Sequence, residues 1–331
     1  MKKVLSICLL GLLLAACGGR EASLFSRAQQ LVAKKQYAKA IPLYSQIIKN
    51  NPESLAAYAN RGLAYEQLST KNKEELAKNR KLAEKDYERA IALNYQRPEI
   101  FNNLAALYID EGKYTEALTL LNTAIALRPN YELALINRAV AKSQLGKFGA
   151  AITDFSHAEE LNRNSPLLYL NRGLAEYAAG YYASAAEDFS NLAELQPQNP
   201  RAYLERGRSF IKMGYFQNAM DDFQLAMAVR PDYAMPYYYA AELLFSRGDV
   251  DEALAYAQRA KTLAPDYAGV YDMLGDMLAL ESPVEATQHY LAARRLDPTH
   301  AARYQGKIRM MTSENGRKRV VADRFLDLEK K

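Results

Sequence analysis

Two cysteines, three histidines and a periodic set of arginines and aspartates are the residues here whose types and spacing could do chemistry. The thiols are Cys8 and Cys17, and the imidazoles are His157, His289 and His300. They form no hydrolytic pattern. The chain has no His-Glu-x-x-His pair for zinc, no Gly-x-Ser-x-Gly elbow and no glycine loop to cradle a phosphate. The carboxylates are more regular. Asp86, Asp154, Asp188 and Asp222 each follow an arginine, Arg61, Arg138, Arg172 and Arg206 in turn, by 16 residues, or by 25 in the first case. Where the arginine place holds Leu104, Ala240 or Leu274, the aspartate place holds Leu120, Tyr256 or His289; only Arg27 with Leu43 breaks the rule. Charge that comes and goes in pairs predicts structural ion bridges rather than a catalytic series. It also accounts for the Asp221-Asp222 doublet. No catalytic residue, metal site, cofactor or small-molecule substrate is expected, and the chain is read as a non-enzyme.

The second chemical signal is at the N-terminus. Lys2 and Lys3 precede an apolar run of eleven residues, Val4 to Leu14. Crossing a bilayer takes about 20 such residues, so the run suits a secretory leader and not a transmembrane helix. Leu14-Ala15-Ala16-Cys17 then resembles the lipobox of bacterial lipoproteins. The resemblance implies removal of residues 1–16, a diacylglyceryl thioether on Cys17 and an N-acyl (palmitate-type) chain on its new amino group. Three acyl chains at one residue exceed the marginal anchoring of a single chain. Cys8 leaves with the leader, so the mature chain would hold no free thiol and no disulfide. Gly18, rather than Asp, follows the cysteine. This resembles lipoproteins passed to the outer membrane and implies an envelope location, facing the periplasm in a Gram-negative source. Without Lys2 and Lys3 the net charge falls from +5 to +3, too small an excess to argue for nucleic acid.

The elements that must position these residues come from self-comparison. Gly112, Gly146, Gly180, Gly214 and Gly248 are spaced by 34, as are Ala117, Ala151, Ala185, Ala219 and Ala253. Tyr169, Tyr203, Tyr237 and Tyr271 keep the same step, and Pro129, Pro197, Pro231 and Pro265 close four of the units. Within one unit, Ser165-Pro166 starts a helix A that carries Tyr169, Arg172, Gly173 and Glu176 on one face. Gly180 ends it, and helix B runs through Ala185, Phe189 and Leu192 until Pro197. Small residues, Gly173 and Ala185, stand where the two helices must approach.

A period of thirty-four with these residues resembles the tetratricopeptide repeat. The resemblance implies an all-α, right-handed superhelical solenoid of about eight hairpins with a C-terminal capping helix. Residues 17–21 are then a lipidated N-terminus and linker and 22–300 the solenoid. Repeats are placed near 21–54, 55–97, 98–131, 132–165, 166–199, 200–233, 234–267 and 268–300. The capping helix is placed at 301–312 and a basic tail, helical or disordered, at 313–331. Repeat two carries about nine extra residues, and its basic segment 71–81 reads as an N-terminal extension of helix B.

In such arrays helix A lines a groove, mainly with positions two, five, six, nine and twelve. Carried over, these give an asparagine ladder, Asn60, Asn103, Asn137 and Asn171, with side chains suited to the backbone of an extended peptide. Beside it runs an apolar stripe: Ile136, Leu170, Leu174, Tyr177, Leu204, Tyr238, Tyr239 and Phe245. The function implied is a scaffold that binds a peptide or helix of a protein partner at the membrane. Type IV pilus or secretion-pore assembly is the first version. An adaptor for peptidoglycan hydrolases or synthases, or a self-assembling architectural protein, is the alternative.

Overall fold

A computed structural model describes residues 19–70 and 72–330, and their side chains except those of Arg20 and residues 325–330. The leader, Cys17, Gly18 and Lys71 lie outside the described residues. Every regular element among the described residues is helical. The helices pair as hairpins: α1 (Gly19–Ala33) with α2 (Tyr37–Asn50), α3 (Leu55–Gln67) with α4 (Lys73–Ala92), α5 (Pro98–Asp110) with α6 (Tyr114–Leu127) and α7 (Glu132–Gln144) with α8 (Phe148–Leu161). They continue as α9 (Pro166–Ala178) and α10 (Tyr182–Leu195), α11 (Pro200–Lys212) and α12 (Phe216–Val229), α13 (Ala234–Ser246) and α14 (Val250–Leu263), and α15 (Ala268–Leu278) and α16 (Pro283–Leu296). A short 3₁₀ turn (Pro298–His300), α17 (Ala301–Met310) and α18 (Glu314–Lys330) follow. The chain forms two compact units, residues 1–171 and 172–331, divided within α9.

Local chemistry explains the boundaries. Pro98, Pro200 and Pro283 open their helices at the first turn, where a missing N–H costs nothing. Asn199 and Asn72 accept backbone N–H groups of the helices they precede, Asn72 from both Glu74 and Glu75. Asn72 thereby starts the extended α4 that the insert was read to form. The five glycines of the repeat all turn the chain with positive φ, between 73° and 89°.

Hairpin one departs from this at one point. Lys35 takes the glycine's place with φ 56°, while the amide of Gln36 reaches back to the Leu31 carbonyl, as Lys113 does to Tyr108 in hairpin three. A lysine pays a left-handed penalty that glycine does not. Lys35→Gly should therefore stabilise the protein by about 0.5–1 kcal/mol, after subtracting glycine's extra freedom in the unfolded chain. A denaturant midpoint that fails to rise would contradict this.

Each unit buries its own core. In unit one, Tyr44, Tyr87, Ile100, Leu121 and Leu135 are fully buried; in unit two, Phe189, Phe223, Val270, Met273 and Tyr290 are. The helix A–helix B approach is close enough to need a missing side chain. A Cβ on Gly207 would stand 2.7 Å from the Phe223 ring, and one on Gly62 would stand 2.8 Å from Tyr87.

The C-terminal end is more ordered than the sequence reading required. The capping helix is α17, and the tail is itself a helix, with Val320 and Arg324 buried in unit two. The side chains of Phe325 and Leu328, also apolar residues of the tail, lie outside the described ones. At the other end α1 begins at Gly19, so the linker read at 17–21 is already helix from its third residue.

Candidate partner-binding groove

The arginine–aspartate series sits at the heart of the hairpins. Arg61 donates to Asp86 through Nε at 2.8 Å and Nη2 at 2.7 Å. Arg138 with Asp154, Arg172 with Asp188 and Arg206 with Asp222 repeat this two-point geometry at 2.7 to 2.9 Å. All four aspartates are buried, at 3–5% exposed. The guanidinium also reaches the preceding helix B. Arg61 donates to the Ser45 hydroxyl, Arg138 to Asn122 Oδ1 and Arg206 to the Ser190 hydroxyl. Each of these arginines thus ties three helices. Sequence reading missed the third partner, although a small polar residue 16 places before the arginine is visible in all three cases.

Surroundings differ from pair to pair. In hairpin four Lys142 adds a second cation, 2.6 Å from Asp154. Hairpin five places Glu176 at that position, beside Asp188, with Oε2 buried and lacking a hydrogen-bond partner. Burial first, then the neighbouring aspartate, pushes the Glu176 carboxyl up to about 8. The folded protein therefore keeps a proton on Glu176, between its ordinary 4.5 and about 8, that the unfolded chain has released. Stability from this group must fall as pH rises through that window. Burial likewise raises Glu66 to about 7 and Asp276 to about 6, and these act in the same direction. Melting should therefore drop between pH 5 and 8, and Glu176→Gln should make the drop shallower. Identical slopes in the two proteins would rule out this assignment.

The asparagine ladder does not present free amides. Asn60, Asn103 and Asn137 are buried, at 4% exposed or less, and Asn171 is half-buried. Asn60 and Asn171 donate back to the carbonyls of Ala56 and Leu167 one turn earlier. Asn137 donates to Asn102 Oδ1 at 2.8 Å, and Asn102 in turn donates toward Asn103 at 3.4 Å. The Asn137–Asn102 bond thus joins the A helices α7 and α5, while Asn60 bonds within its own helix. Ile136 is fully buried there as well, so it packs instead of lining a groove, while Leu170 is half-buried.

Unit two keeps a different surface. Leu204 and Phe245 are core residues at 3% and 2% exposed, and Tyr238 is 6% exposed. Half-buried at groove positions are Leu174, Tyr177, Arg208 and Tyr239. The Arg208 guanidinium lies between two rings, 4.9 Å from the centre of Tyr177 and 5.0 Å from that of Tyr239, and pairs with Glu205. Next to this sandwich, Tyr238 meets both Tyr239 and Tyr267 edge-on at 5.3 Å. Beyond it lies an acidic floor from Glu242 of α13 and Asp272 and Asp276 of α15. Arg324 of α18 is 2.9 Å from Glu242, and Lys307 of α17 is 2.6 and 2.7 Å from the two aspartates. No repeat pattern announces Arg324, because α18 lies outside the repeat.

Elsewhere in unit one a cleft beside the insert is lined by Glu66, Thr70, Arg80, Leu107 and Asp110, and Glu66 there accepts the Tyr87 hydroxyl. His157 and His300 stand apart from His289, and His300 pairs with Asp297. Among the described residues no group of His, Cys, Asp and Glu is arranged to hold a metal ion. No described helix is long and apolar enough to cross a membrane.

Repeated two-helix hairpins, tied internally by ion pairs, define a repeat scaffold for protein–protein interaction. The chain belongs to the tetratricopeptide repeat family. The family's models match residues 25–82, 136–200, 170–234 and 204–268, described as tetratricopeptide repeat, and 107–146, described as TPR repeat. Human tetratricopeptide repeat protein 13 is 31% identical over 106 residues, 32% of this chain. The match spans only 12% of that relative's length. Among solved structures, a tetratricopeptide repeat protein from Parabacteroides merdae is similar with a TM-score of 0.59 at 21% identity, covering 78% of this chain and 98% of that one. Pseudomonas aeruginosa pilF gives 0.55 at 20%, covering 67% and 97%. Yeast Tom70 gives 0.58 at 17%, covering 94% and 69%. At these identities the likeness is one of fold.

Proposed function

We propose that the chain is a lipid-anchored adaptor of the bacterial envelope that holds a peptide or helix of another protein on the inner face of unit two. The Tyr177–Arg208–Tyr239 sandwich carries this reading. Two aromatic rings and a guanidinium, all half-exposed and all at groove positions, are the residue types that dominate binding energy at protein contacts. Tyrosine adds contact area with a polar tip, and Leu174 stands at a groove position of the same helix A as Tyr177. Asn137 contributes instead by tying α7 to α5 through Asn102.

Anchoring rests on the leader and on Leu14-Ala15-Ala16-Cys17. Because α1 begins two residues after Cys17, the reach from lipid to helix is at most about 7 Å. Hairpin one would then lie against the head groups, and the partner would be confined to the membrane surface. Assembly of a type IV pilus or secretion pore is the particular role we favour, and the identity of the captured protein decides it.

Replacing Tyr177 and Tyr239 together with alanine should weaken capture. Each such anchor is worth about 2 kcal/mol, roughly thirtyfold in affinity. Affinity isolation after crosslinking in intact membranes would show this, and undiminished capture by the double variant would move the site elsewhere. Tyr238 is the wrong residue for this test. It is buried beneath α18, so its loss would disturb folding.

A further inference from the structure

We propose that α18 is a resident occupant of the groove, and that its binding mode reveals the partner: an amphipathic helix carrying one arginine beside small apolar residues. The inference rests on the scaffold reading only for what replaces α18. Glu242, Asp272 and Asp276 occupy the ninth, fifth and ninth positions of their A helices, the groove-facing places where such arrays hold ligands. Here the chain fills them itself. Arg324 is 3% exposed in its side chain, 2.9 Å from Glu242, 3.6 Å from Asp272 and 3.7 Å from Asp276. One turn earlier Val320 is buried against Ala279, Ala286 and Tyr290, and Val321 packs on the cluster containing Tyr238, Met273 and Met277.

Charge says why an arginine must fill this place. Lys307 and Arg303 of α17 already neutralise part of the floor, at 2.6 and 2.9 Å from Asp272. Three carboxylates face three cations, Lys307, Arg303 and Arg324, and the departure of α18 removes one of the three. Losing a cation from a buried carboxylate cluster is unfavourable, so the vacated groove should select a new guanidinium, not merely any apolar helix. The covering helix is attached through only Met311, Thr312 and Ser313, and so competes with a partner at high effective concentration. Partner binding is then weak until α18 lets go.

The test uses the full chain and a labelled synthetic peptide with the sequence of residues 314–330. Wild type should bind it poorly. Arg324→Ala, which loosens the chain's own helix, should bind it at least about tenfold tighter. A peptide with alanine at the place of Arg324 should bind neither. Hydrogen exchange should rise in α18 of the variant while α11 and α12 keep their protection. Val321→Ser loosens α18 without adding charge beside the acidic floor and provides the same readout should Arg324→Ala melt too low. The proposal is overturned if α18 keeps wild-type protection in both variants, or if a stably folded variant binds the peptide no better than wild type. Dimers that exchange α18 between copies would make the occupant a second copy of this chain and overturn the partner assignment. Absence of any cellular partner would count against the adaptor reading alone, since the peptide readout needs none.

Discussion

Replacing Arg206 with alanine is expected to cost about 3–5 kcal/mol of folding stability, measured by urea unfolding. The loss exceeds that of an ordinary surface pair because Asp222 is only 3% exposed and receives both of its short contacts from this guanidinium. Burial already pushes the Asp222 carboxyl up, and the arginine is what opposes that shift. Removing the arginine leaves a carboxylate with neither water nor a counter-charge. It also removes the bond to the Ser190 hydroxyl that joins hairpin six to the preceding helix B. The double variant Arg206→Leu with Asp222→Leu should cost much less, because a buried pair replaced as a whole strands nothing. Hairpin seven is the natural example: it carries Ala240 and Tyr256 at the two places and packs both. A single variant within about 1 kcal/mol of wild type would show the pair to be screened like a surface bridge.

The second large effect is on location. Cys17→Ser should move the processed protein almost entirely from the membrane fraction to the soluble one. The triacylated cysteine is the proposed attachment, and one uncharged serine cannot accept a thioether. Mass spectrometry of the N-terminal peptide gives the matching chemical readout, with Cys17 as first residue carrying three acyl chains. A processed Cys17→Ser protein that stays firmly membrane-bound would remove the lipid from the account. An uncleaved leader is recognised by its mass and set aside from that comparison.

Periodicity made most of the fold legible. The glycine at each turn, the small residue facing the helix B aromatic and the co-varying Arg and Asp are constraints internal to one hairpin, so thirty-four residues suffice to see them. Groove exposure is a relation between hairpins and was harder to read. Position six looked like a ligand ladder because Asn repeats there. How closely neighbouring A helices pack decides whether its amide meets solvent, and Asn102, one residue before the ladder position, supplies the acceptor that closes it. Tyr238 was misplaced for another reason. What covers it is a helix that begins more than 70 residues later and obeys no repeat. The arginine that pairs with Glu242 is 82 residues away, a distance at which a single sequence carries no signal of contact. Arg208 belongs to the same class, since its two rings come from the flanking A helices of hairpins five and seven.

The central claim is that unit two holds a protein partner at a membrane surface. It is tested most directly by a photoreactive amino acid at position 239 in intact cells, with irradiation before lysis. The account predicts one dominant crosslinked product in the membrane fraction. That product should be lost when Tyr177 is also replaced by alanine, and absent when the probe stands at exposed Leu225 on α12. A product formed equally well from position 225, or none from position 239 while the protein is folded and membrane-bound, would contradict it.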